Sequence, residues 1–270
     1  NDGYMVPPFD HEDIIEGQAT VAAEIMDQLP EGTKPDIVVM PVGGGGLSAG
    51  LTGFLAGTVA KENFVFCEPE GAPSLKKSLE RGEPVTLNKV DNFVDGAAVA
   101  RIGDLNFKAL KDFPADQVQL IPENAICVTI IEMLNLEGVV LEPAGALSIA
   151  ALEKLGRERL EGKTVIAVVS GGNFDFERLP DVKERAMRYT GVKKYFILRL
   201  PQRPGALRDF LNLLGPDDDI ARFEYLKKSA RNFGSILIGI ETNAQENFAG
   251  LLERFEAAGL GYEDITENDI

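Results

Sequence analysis

Basic residues are scarce in this sequence relative to acidic ones. There are 27 Lys and Arg residues against 43 Asp and Glu residues, which gives a formal net charge of −16 at pH 7. Nucleic acids and anionic membrane surfaces are bound through clustered Lys and Arg that displace counterions. The charge balance therefore argues against both partners, and we expect the ligand to be a small molecule.

Cysteine and long apolar runs are also rare. The two cysteines, Cys67 and Cys127, each stand in an apolar segment. We therefore expect no disulfide framework, and two buried thiols in a reducing compartment favour the cytoplasm. No apolar run approaches the length that crosses a bilayer, so no membrane partner is expected. The hydrophobic content of 44% still suffices for sizeable cores in one or two domains.

The most distinctive stretch is an apolar segment that ends in four glycines. Residues 38–42 predict a strand covered on both faces, and Gly43-Gly44-Gly45-Gly46, the glycine loop, follows directly before helix-compatible residues. Glycines at a helix N-terminus leave several backbone N–H groups open to an anion. We interpret the glycine loop as a phosphate-binding loop.

Three other interpretations of the glycine loop compete with this one. A P-loop needs Gly-Lys-Ser/Thr, and it fails because Leu47 and Ser48 follow Gly46. A dinucleotide-binding fingerprint fits Gly43 and Gly45 but meets Ser48 at its third glycine position. The third is a turn that only lets a helix and a strand pack closely. The last two stay open on these residues alone.

Residues 1–180 alternate predicted strands and helices. A strand-helix-strand unit over residues 36–67 predicts an open, mainly parallel sheet, with the helix after the glycine loop running to about Lys61. A second buried strand, Val165 to Val169, ends at Ser170-Gly171-Gly172-Asn173. Ligands of such sheets bind beyond the carboxyl ends of the strands, so the two glycine-bearing loops should share one site.

The rest of the chain has a pattern of its own. Residues 181–192 predict a charged linker helix, and residues 193–270 follow the order βαββαβ of a ferredoxin-like α+β domain. Near the other end, Asp10 and His11 are candidate N-caps for a first helix that reaches about Leu29. The sequence does not begin with Met, so we expect it to be a piece of a longer protein.

Four segments, in this order, carry a family resemblance. They are Pro41-Val42-Gly43-Gly44-Gly45-Gly46-Leu47, Asp95-Gly96-Ala97-Ala98-Val99, Glu142-Pro143-Ala144-Gly145-Ala146 and Ser170-Gly171-Gly172-Asn173. Together they resemble the fold-type II (tryptophan synthase β-like) pyridoxal-phosphate enzymes, and Pro8-Phe9-Asp10-His11 resembles the threonine dehydratases among them. Residues 193–270 are similar to ACT-type regulatory domains. The whole chain thus resembles the short biosynthetic threonine dehydratases that carry one ACT-like domain.

The resemblance implies a cofactor site and a reaction. Gly43, Gly44, Gly45, Gly46 and Leu47 would hold the phosphate of pyridoxal 5'-phosphate, and Ser170 would meet the pyridine nitrogen. A serine cannot protonate that nitrogen as an aspartate would, which suits the β-elimination of a hydroxyl group. The implied reaction converts L-threonine to 2-oxobutanoate and ammonia in isoleucine biosynthesis, and L-serine is a further candidate substrate. Residues 1–180 would be part of the cofactor-binding catalytic domain.

The resemblance also implies regulation and assembly. Isoleucine and valine would act as opposed effectors at residues 201–207, the loop after the first strand of the ACT-like domain. Arg199, Arg203, Arg208 and Asn212 cannot be ranked as contacts from the sequence. The protein would be a homo-oligomer, a dimer or a tetramer. A purely structural dimerisation module stays open, because ferredoxin-like sandwiches often pair through an edge strand.

One part of the family pattern has no match here. The family's Schiff-base lysine lies in a Ser-x-Lys motif before the glycine loop, whereas the nearest string, Ser74-Leu75-Lys76, lies after it. Because that lysine provides both the covalent link and proton transfer, we expect no catalytic residue here and no activity from this chain alone. An amino-acid-sensing fragment without catalysis and a related serine dehydratase remain alternatives.

Several candidate residues have ordinary structural explanations as well. Ser170 suits a turn, Asp95 before Gly96 is a common turn pair, and Glu142 suits the first turn of a helix. His11, the one histidine, suits a helix cap.

A divalent-cation site also needs to be weighed. Glu68 and Glu70 could join a site of the kind that some serine-acting relatives have. Ser74, however, stands where that pattern has an acid. We therefore expect no metal.

Overall fold

The computed structural model describes residue 3 and residues 5–226 and 233–268. The chain divides into two compact units, the first ending at Leu179 and the second beginning at Pro180. Within the described residues, no helix is both long enough and apolar enough to cross a membrane.

The first unit is built on a parallel sheet of four strands in the described residues. They are β1 (Ile37–Pro41), β2 (Phe64–Pro69), β3 (Val118–Ile121) and β4 (Val165–Ala167), arranged in the order β3-β2-β1-β4. All three neighbouring pairs are parallel, which confirms the predicted sheet. Every residue of β1 and β2 is buried, in agreement with their continuous apolar runs.

The fourth strand differs from its prediction. β4 ends at Ala167, although Val168 N–H still donates to the Val39 carbonyl at 2.9 Å. Its residues are only half-buried because β4 lies at the edge of the described sheet, where it pairs with β1 alone. Val169 is exposed, so the predicted buried strand is wrong for this residue.

Helices surround this sheet, and one of them is shorter than predicted. The helix after the glycine loop ends at Phe54, not at Lys61, because the chain turns at Gly57, whose φ of 80° is left-handed. The helices are α1 (Glu12–Gln28), α2 (Gly46–Phe54), α3 (Ser74–Arg81), α4 (Asp104–Leu110), α5 (Glu123–Glu132), α6 (Pro143–Leu155) and α7 (Arg157–Leu160). A π-helical turn, Met133–Glu137, follows α5.

The first helix is capped as its sequence predicts. His11 is its N-cap, and the His11 Nδ1 accepts the Asp13 N–H at 3.2 Å. α1 lies directly against α2. The two helices are so close at Gly50 that a Cβ there would lie 2.6 Å from the Ile15 carbonyl oxygen. The capping interpretation of His11 is therefore confirmed.

The second unit is a ferredoxin-like sandwich. Its strands have the order β6-β7-β5-β8, all neighbouring pairs are antiparallel, and the helices α9 and α10 contribute Phe210, Phe248 and Phe255 to a core with β5 and β7. The predicted βαββαβ order is confirmed. The elements are α8 (Leu179–Tyr189), β5 (Lys193–Pro201), α9 (Ala206–Leu211), β6 (Asp219–Leu226), β7 (Phe233–Glu241), α10 (Asn247–Ala257) and β8 (Gly261–Asp264).

Candidate functional site

One cavity of about 370 Å³ lies where the loops after β1 and β4 meet. We call it the first-unit cavity. The glycine loop and Leu47 line it from the side of β1, and Ser170 lines it from the side of β4. β1 and β4 are parallel neighbours, so both loops leave the sheet at its carboxyl edge. The structure therefore brings together all the residues that we predicted for the site.

The glycine loop presents backbone, not side chains, to this cavity. A Cβ at Gly44 would overlap the ring of Phe9, and a Cβ at Gly46 would lie 3.0 Å from the Phe9 carbonyl oxygen. Gly45, the N-cap of α2, has a φ of 92°, which favours glycine. The wall thus offers backbone without side chains at a helix N-terminus, where the helix dipole favours an anion.

The other two segments that carry the resemblance reach the same cavity. Gly96, Ala97 and Val99 line it from one loop, and Glu142 and Ala144 line it from the start of α6. Four segments that are far apart in the sequence therefore converge on one space.

Asp95 does not line this space, and its contacts are those of a turn residue. The Asp95 carboxylate accepts the Gly96 N–H at 3.0 Å, and it lies 4.0 Å from the guanidinium of Arg178. Arg178 in turn donates to the Phe93 carbonyl and lies over the Phe93 ring. These contacts hold the loop that contributes Gly96 and Ala97 to the wall.

Glu142 faces the cavity and does not act as a helix cap. It holds the N-cap position of α6, but its side chain makes no capping hydrogen bond. Its carboxylate lies against Gly171, where an added Cβ would overlap Oε1, and its N–H donates to the Gly171 carbonyl at 3.2 Å. Burial raises the pKa of Glu142, and the negative charge of Asp95 raises it further. The carboxyl group is thus available to a ligand.

Asp10 has a role that the sequence did not reveal. It was a candidate cap for α1, but its carboxylate accepts the N–H groups of Asp104 and Leu105, both at 2.9 Å, and so caps α4. The N-cap residue of α4 is Gly103, which has no side chain to do this. The available sequence signal was that α4 begins after a glycine and so needs a cap from elsewhere. That signal does not identify which residue supplies the cap.

Glu68 caps a helix, although it was weighed as a metal ligand. Its carboxylate accepts the N–H groups of Leu75 at 2.6 Å and Lys76 at 3.0 Å, at the start of α3. Burial raises the pKa of Glu68 to about 7. The described residues contain no cluster of three or more His, Cys, Asp or Glu side chains that could hold a metal ion. The expectation of no metal stays a prediction.

No lysine belongs to the described residues that line the first-unit cavity. The Lys76 ammonium, in the string nearest to the family motif, donates instead to the Val118 carbonyl at 3.4 Å. The cavity therefore offers an anion-binding backbone, a hydroxyl and a carboxyl group. These groups fit a phosphorylated aromatic ring, and they do not provide an amine for covalent attachment.

The second unit has a groove of its own, of about 480 Å³. We call it the second-unit groove. Arg203 lines it from the loop where we expected an effector, and Tyr225 lines it from β6. From α9 it is lined by Ala206, Leu207 and Leu211, so the last two residues of the expected effector loop are helical. Arg208 also lines this groove, whereas Arg199 and Asn212 do not. The Arg203 guanidinium lies 2.5 Å from the Asp209 carboxylate.

Comparisons with known sequences agree with this geometry. Residues 1–171 match the family of pyridoxal-phosphate dependent enzymes, and residues 184–270 match the C-terminal regulatory domain of threonine dehydratase. The L-threonine dehydratase biosynthetic IlvA of Halalkalibacterium halodurans is 43% identical over 98% of this chain and 63% of that protein. Its counterpart in Mycobacterium tuberculosis strain H37Rv is 45% identical over 97% of this chain and 60% of that protein.

A solved structure is similar as well. The processed form of threonine deaminase isoform 2 from Solanum lycopersicum is 35% identical and has a TM-score of 0.61, covering 67% of this chain and 52% of that one. The chain spans less than two thirds of the length of these relatives. Because the family match covers residues 1–171, and the loops of that region converge on one cavity, the chain belongs to the pyridoxal-phosphate dependent enzyme family.

Proposed function

We propose that the protein containing this chain converts L-threonine to 2-oxobutanoate and ammonia, with pyridoxal 5'-phosphate as cofactor. One observation carries the proposal: the glycine loop, Ser170 and Glu142 line a single cavity at the carboxyl edge of a parallel sheet. The names of the relatives, biosynthetic L-threonine dehydratases, support threonine as substrate. L-Serine is a second candidate substrate.

The residues of this chain would bind and orient the cofactor. The N–H groups of the glycine loop and Leu47 would donate to its phosphate at the N-terminus of α2. The Ser170 hydroxyl would donate to the pyridine nitrogen, which then stays uncharged. When bound, pyridoxal phosphate supplies the electron sink that makes the α-proton of an amino acid acidic. The Glu142 carboxyl lies on the same wall, within the reach of a bound ligand.

The proposed division of labour follows the two units. Residues 1–180 would be part of the catalytic domain, residues 181–192 a linker helix, and residues 193–270 an ACT-like regulatory domain. The lining of the first-unit cavity contains no lysine among the described residues, so this chain alone should bind the cofactor without turning over threonine. We also propose that the protein is a cytoplasmic homo-oligomer, which light scattering after size exclusion would test.

The experiment compares two samples, the intact protein that contains this chain and the 270-residue chain by itself. The protein, supplied with pyridoxal phosphate and L-threonine, should release 2-oxobutanoate, measured as its hydrazone, and L-serine is assayed in parallel. The chain alone should release none under the same conditions. A protein that releases no oxo acid from either amino acid, or that binds NAD in place of pyridoxal phosphate, would contradict the proposal.

A regulatory function for the second unit has its own support. The second-unit groove combines exposed leucines and Arg208 on α9 with Arg203 of the expected effector loop. This composition suits an aliphatic amino acid, whose side chain packs on the leucines and whose carboxylate meets a guanidinium. Calorimetry with isoleucine and valine should detect binding to the chain. No heat with either, in a sample that is oligomeric, would favour a structural dimerisation module.

A further inference from the structure

Asn106 connects the glycine loop to the segment before α1. Its side chain is fully buried, and its amide Nδ2 donates to the Gly44 carbonyl at 2.8 Å and to the Phe9 carbonyl at 3.1 Å. The Gly103 N–H donates to the same Gly44 carbonyl at 3.1 Å. Both partners of the side chain are acceptors, so only its amino group can satisfy them.

This hydrogen bond fixes the direction of a peptide group in the glycine loop. In a planar trans peptide, the carbonyl of one residue and the N–H of the next point in opposite directions. Because the Gly44 carbonyl is directed at Asn106, the Gly45 N–H is directed away from it. Gly45 lines the first-unit cavity. The anchored carbonyl therefore keeps this N–H on the side of the loop away from Asn106.

A loop of four glycines needs such an anchor. Glycine adopts both signs of φ with little energetic difference, so a peptide flip between two glycines costs less than elsewhere. A flipped peptide would present the Gly44 carbonyl, an acceptor, to an anionic group. The Phe9 ring and Phe9 backbone pack on Gly44 and Gly46, but neither contact selects the direction of this peptide. The hydrogen bonds to the Gly44 carbonyl select it, and the shorter of the two is the one from Asn106, 2.8 Å against 3.1 Å from the Gly103 N–H.

We propose that Asn106 is a positioning residue for the phosphate site, because it holds the Gly44 carbonyl and so keeps the Gly45 N–H directed at the ligand. This inference rests on the proposed function, since it takes the glycine loop to bind the cofactor phosphate. Asn106 itself lies behind the glycine loop and does not line the cavity.

The chain offers a matched control in Gln117. It too is a buried carboxamide, 8% exposed, and its Nε2 donates to two carbonyls, those of Lys61 at 2.8 Å and Phe64 at 3.0 Å. These partners lie at the amino-terminal end of β2, the edge of the sheet opposite to the site. Loss of either carboxamide should destabilise the fold similarly, but only Asn106 contacts the glycine loop.

The experiment measures the affinity of the 270-residue chain for inorganic phosphate and for pyridoxal 5'-phosphate by calorimetry. Asn106→Leu and Gln117→Leu should lower the urea midpoint by similar amounts. Only Asn106→Leu should weaken both affinities, by about tenfold, the value of a hydrogen bond that orders a charged site. Asn106→Ser is a milder substitution that tests the same loss if the leucine variant does not fold.

A second measurement needs no ligand. In 15N NMR spectra of the free chain, the Gly45 amide resonance should shift in the Asn106 variants and stay unchanged in Gln117→Leu. If the original chain binds phosphate and both leucine variants weaken binding equally, the positioning role is wrong and the proposed site stands. If the original chain binds neither probe, the phosphate site and the role of Asn106 are both overturned.

Discussion

The Lys193 ammonium lies 2.5 Å from Glu184 Oε2, and this pair joins α8 to the sheet of the second unit. Lys193 also lies 2.8 Å from Glu241, and the Tyr195 hydroxyl donates to Glu184 at 2.8 Å. Burial acts to lower the pKa of Lys193, but the hydrogen bonds to the two carboxylates outweigh it and raise the pKa. α8 is thus attached to the sheet of the second unit by an ion cluster around the buried Lys193 ammonium.

Lys193→Met should destabilise the second unit. Without the ammonium, two partly buried carboxylates lack a cation and repel each other, and we expect a loss of about 3 kcal/mol in the free energy of unfolding. Urea unfolding followed by tyrosine fluorescence measures it. Lys194→Met is the control, because the Lys194 pair with Asp264 is more exposed and its loss should cost below about 1 kcal/mol. Equal losses would contradict the role of the cluster.

Glu68 should make stability depend on pH. The folded chain binds the Glu68 proton with a pKa of about 7, above the ordinary value of 4.5. The free energy of unfolding should therefore fall as pH rises through this window and level off above it. Glu68→Gln should remove this pH dependence. The difference in the free energy of unfolding, variant minus original chain, should therefore rise by roughly 2 to 3 kcal/mol from about pH 5 to pH 8. Glu70→Gln, at an exposed neighbour, should show no such trend.

Gly44→Ala tests the close packing behind the glycine loop. The new Cβ overlaps the Phe9 ring, so we expect a loss of about 1 to 3 kcal/mol in stability, together with weaker phosphate binding. Gly53→Ala in α2 is the control, since its Cβ meets no atom and should stabilise the helix by about 0.5 to 1 kcal/mol. Unchanged phosphate affinity in Gly44→Ala would contradict the proposed site.

Ser170→Ala distinguishes the binding of the cofactor ring from the binding of its phosphate group. Removing the hydroxyl should weaken the binding of pyridoxal phosphate to the chain about fivefold, the value of one hydrogen bond, and leave the binding of inorganic phosphate unchanged. Calorimetry with both ligands measures the difference. Ser235→Ala, at an exposed position of β7, should change neither. A plain turn role for Ser170 would leave both affinities intact.

Leu211→Asp tests the second-unit groove. Leu211 is 43% exposed on α9, so the substitution should change stability by less than about 0.5 kcal/mol while abolishing the binding of isoleucine. The acid would repel the carboxylate of the effector and remove an apolar contact. Leu136→Asp, at a 77% exposed leucine of the first unit, should leave isoleucine binding as it was. Equal isoleucine binding by both variants would show that the effector does not bind in the second-unit groove.

Much of the site could be predicted because the signals are local. The glycine loop and Ser170 each follow an apolar strand, and parallel strands end at the same edge of a sheet. The cap of α1 by His11 was also visible in neighbouring residues. The end of α2 is a local feature that was predicted wrongly. The single glycine at position 57 did not indicate that the helix would end as early as Phe54.

Other contacts could not be predicted because their partners are distant in the sequence. Asp10 caps a helix that begins 94 residues later, and Asn106 binds a carbonyl 62 residues earlier. Asn106 stands in no motif, and the motif that contains Asp10, Pro8-Phe9-Asp10-His11, does not identify the helix that Asp10 caps. Glu142 matches a motif, but its position did not decide between an acid in the first turn of a helix and a residue of the cofactor site.

The sequence by itself determined the order of the elements, the parallel first sheet, the ferredoxin-like second unit and the residues at the ends of two strands. These follow from periodicity and from glycine positions, which act over a few residues. Only the tertiary structure decided that four separate segments line one cavity, that Glu68 caps a helix, and that Asn106 donates to the Gly44 carbonyl. The direction of a peptide and the environment of a carboxylate depend on which distant groups pack beside them, and local sequence patterns carry no record of that packing.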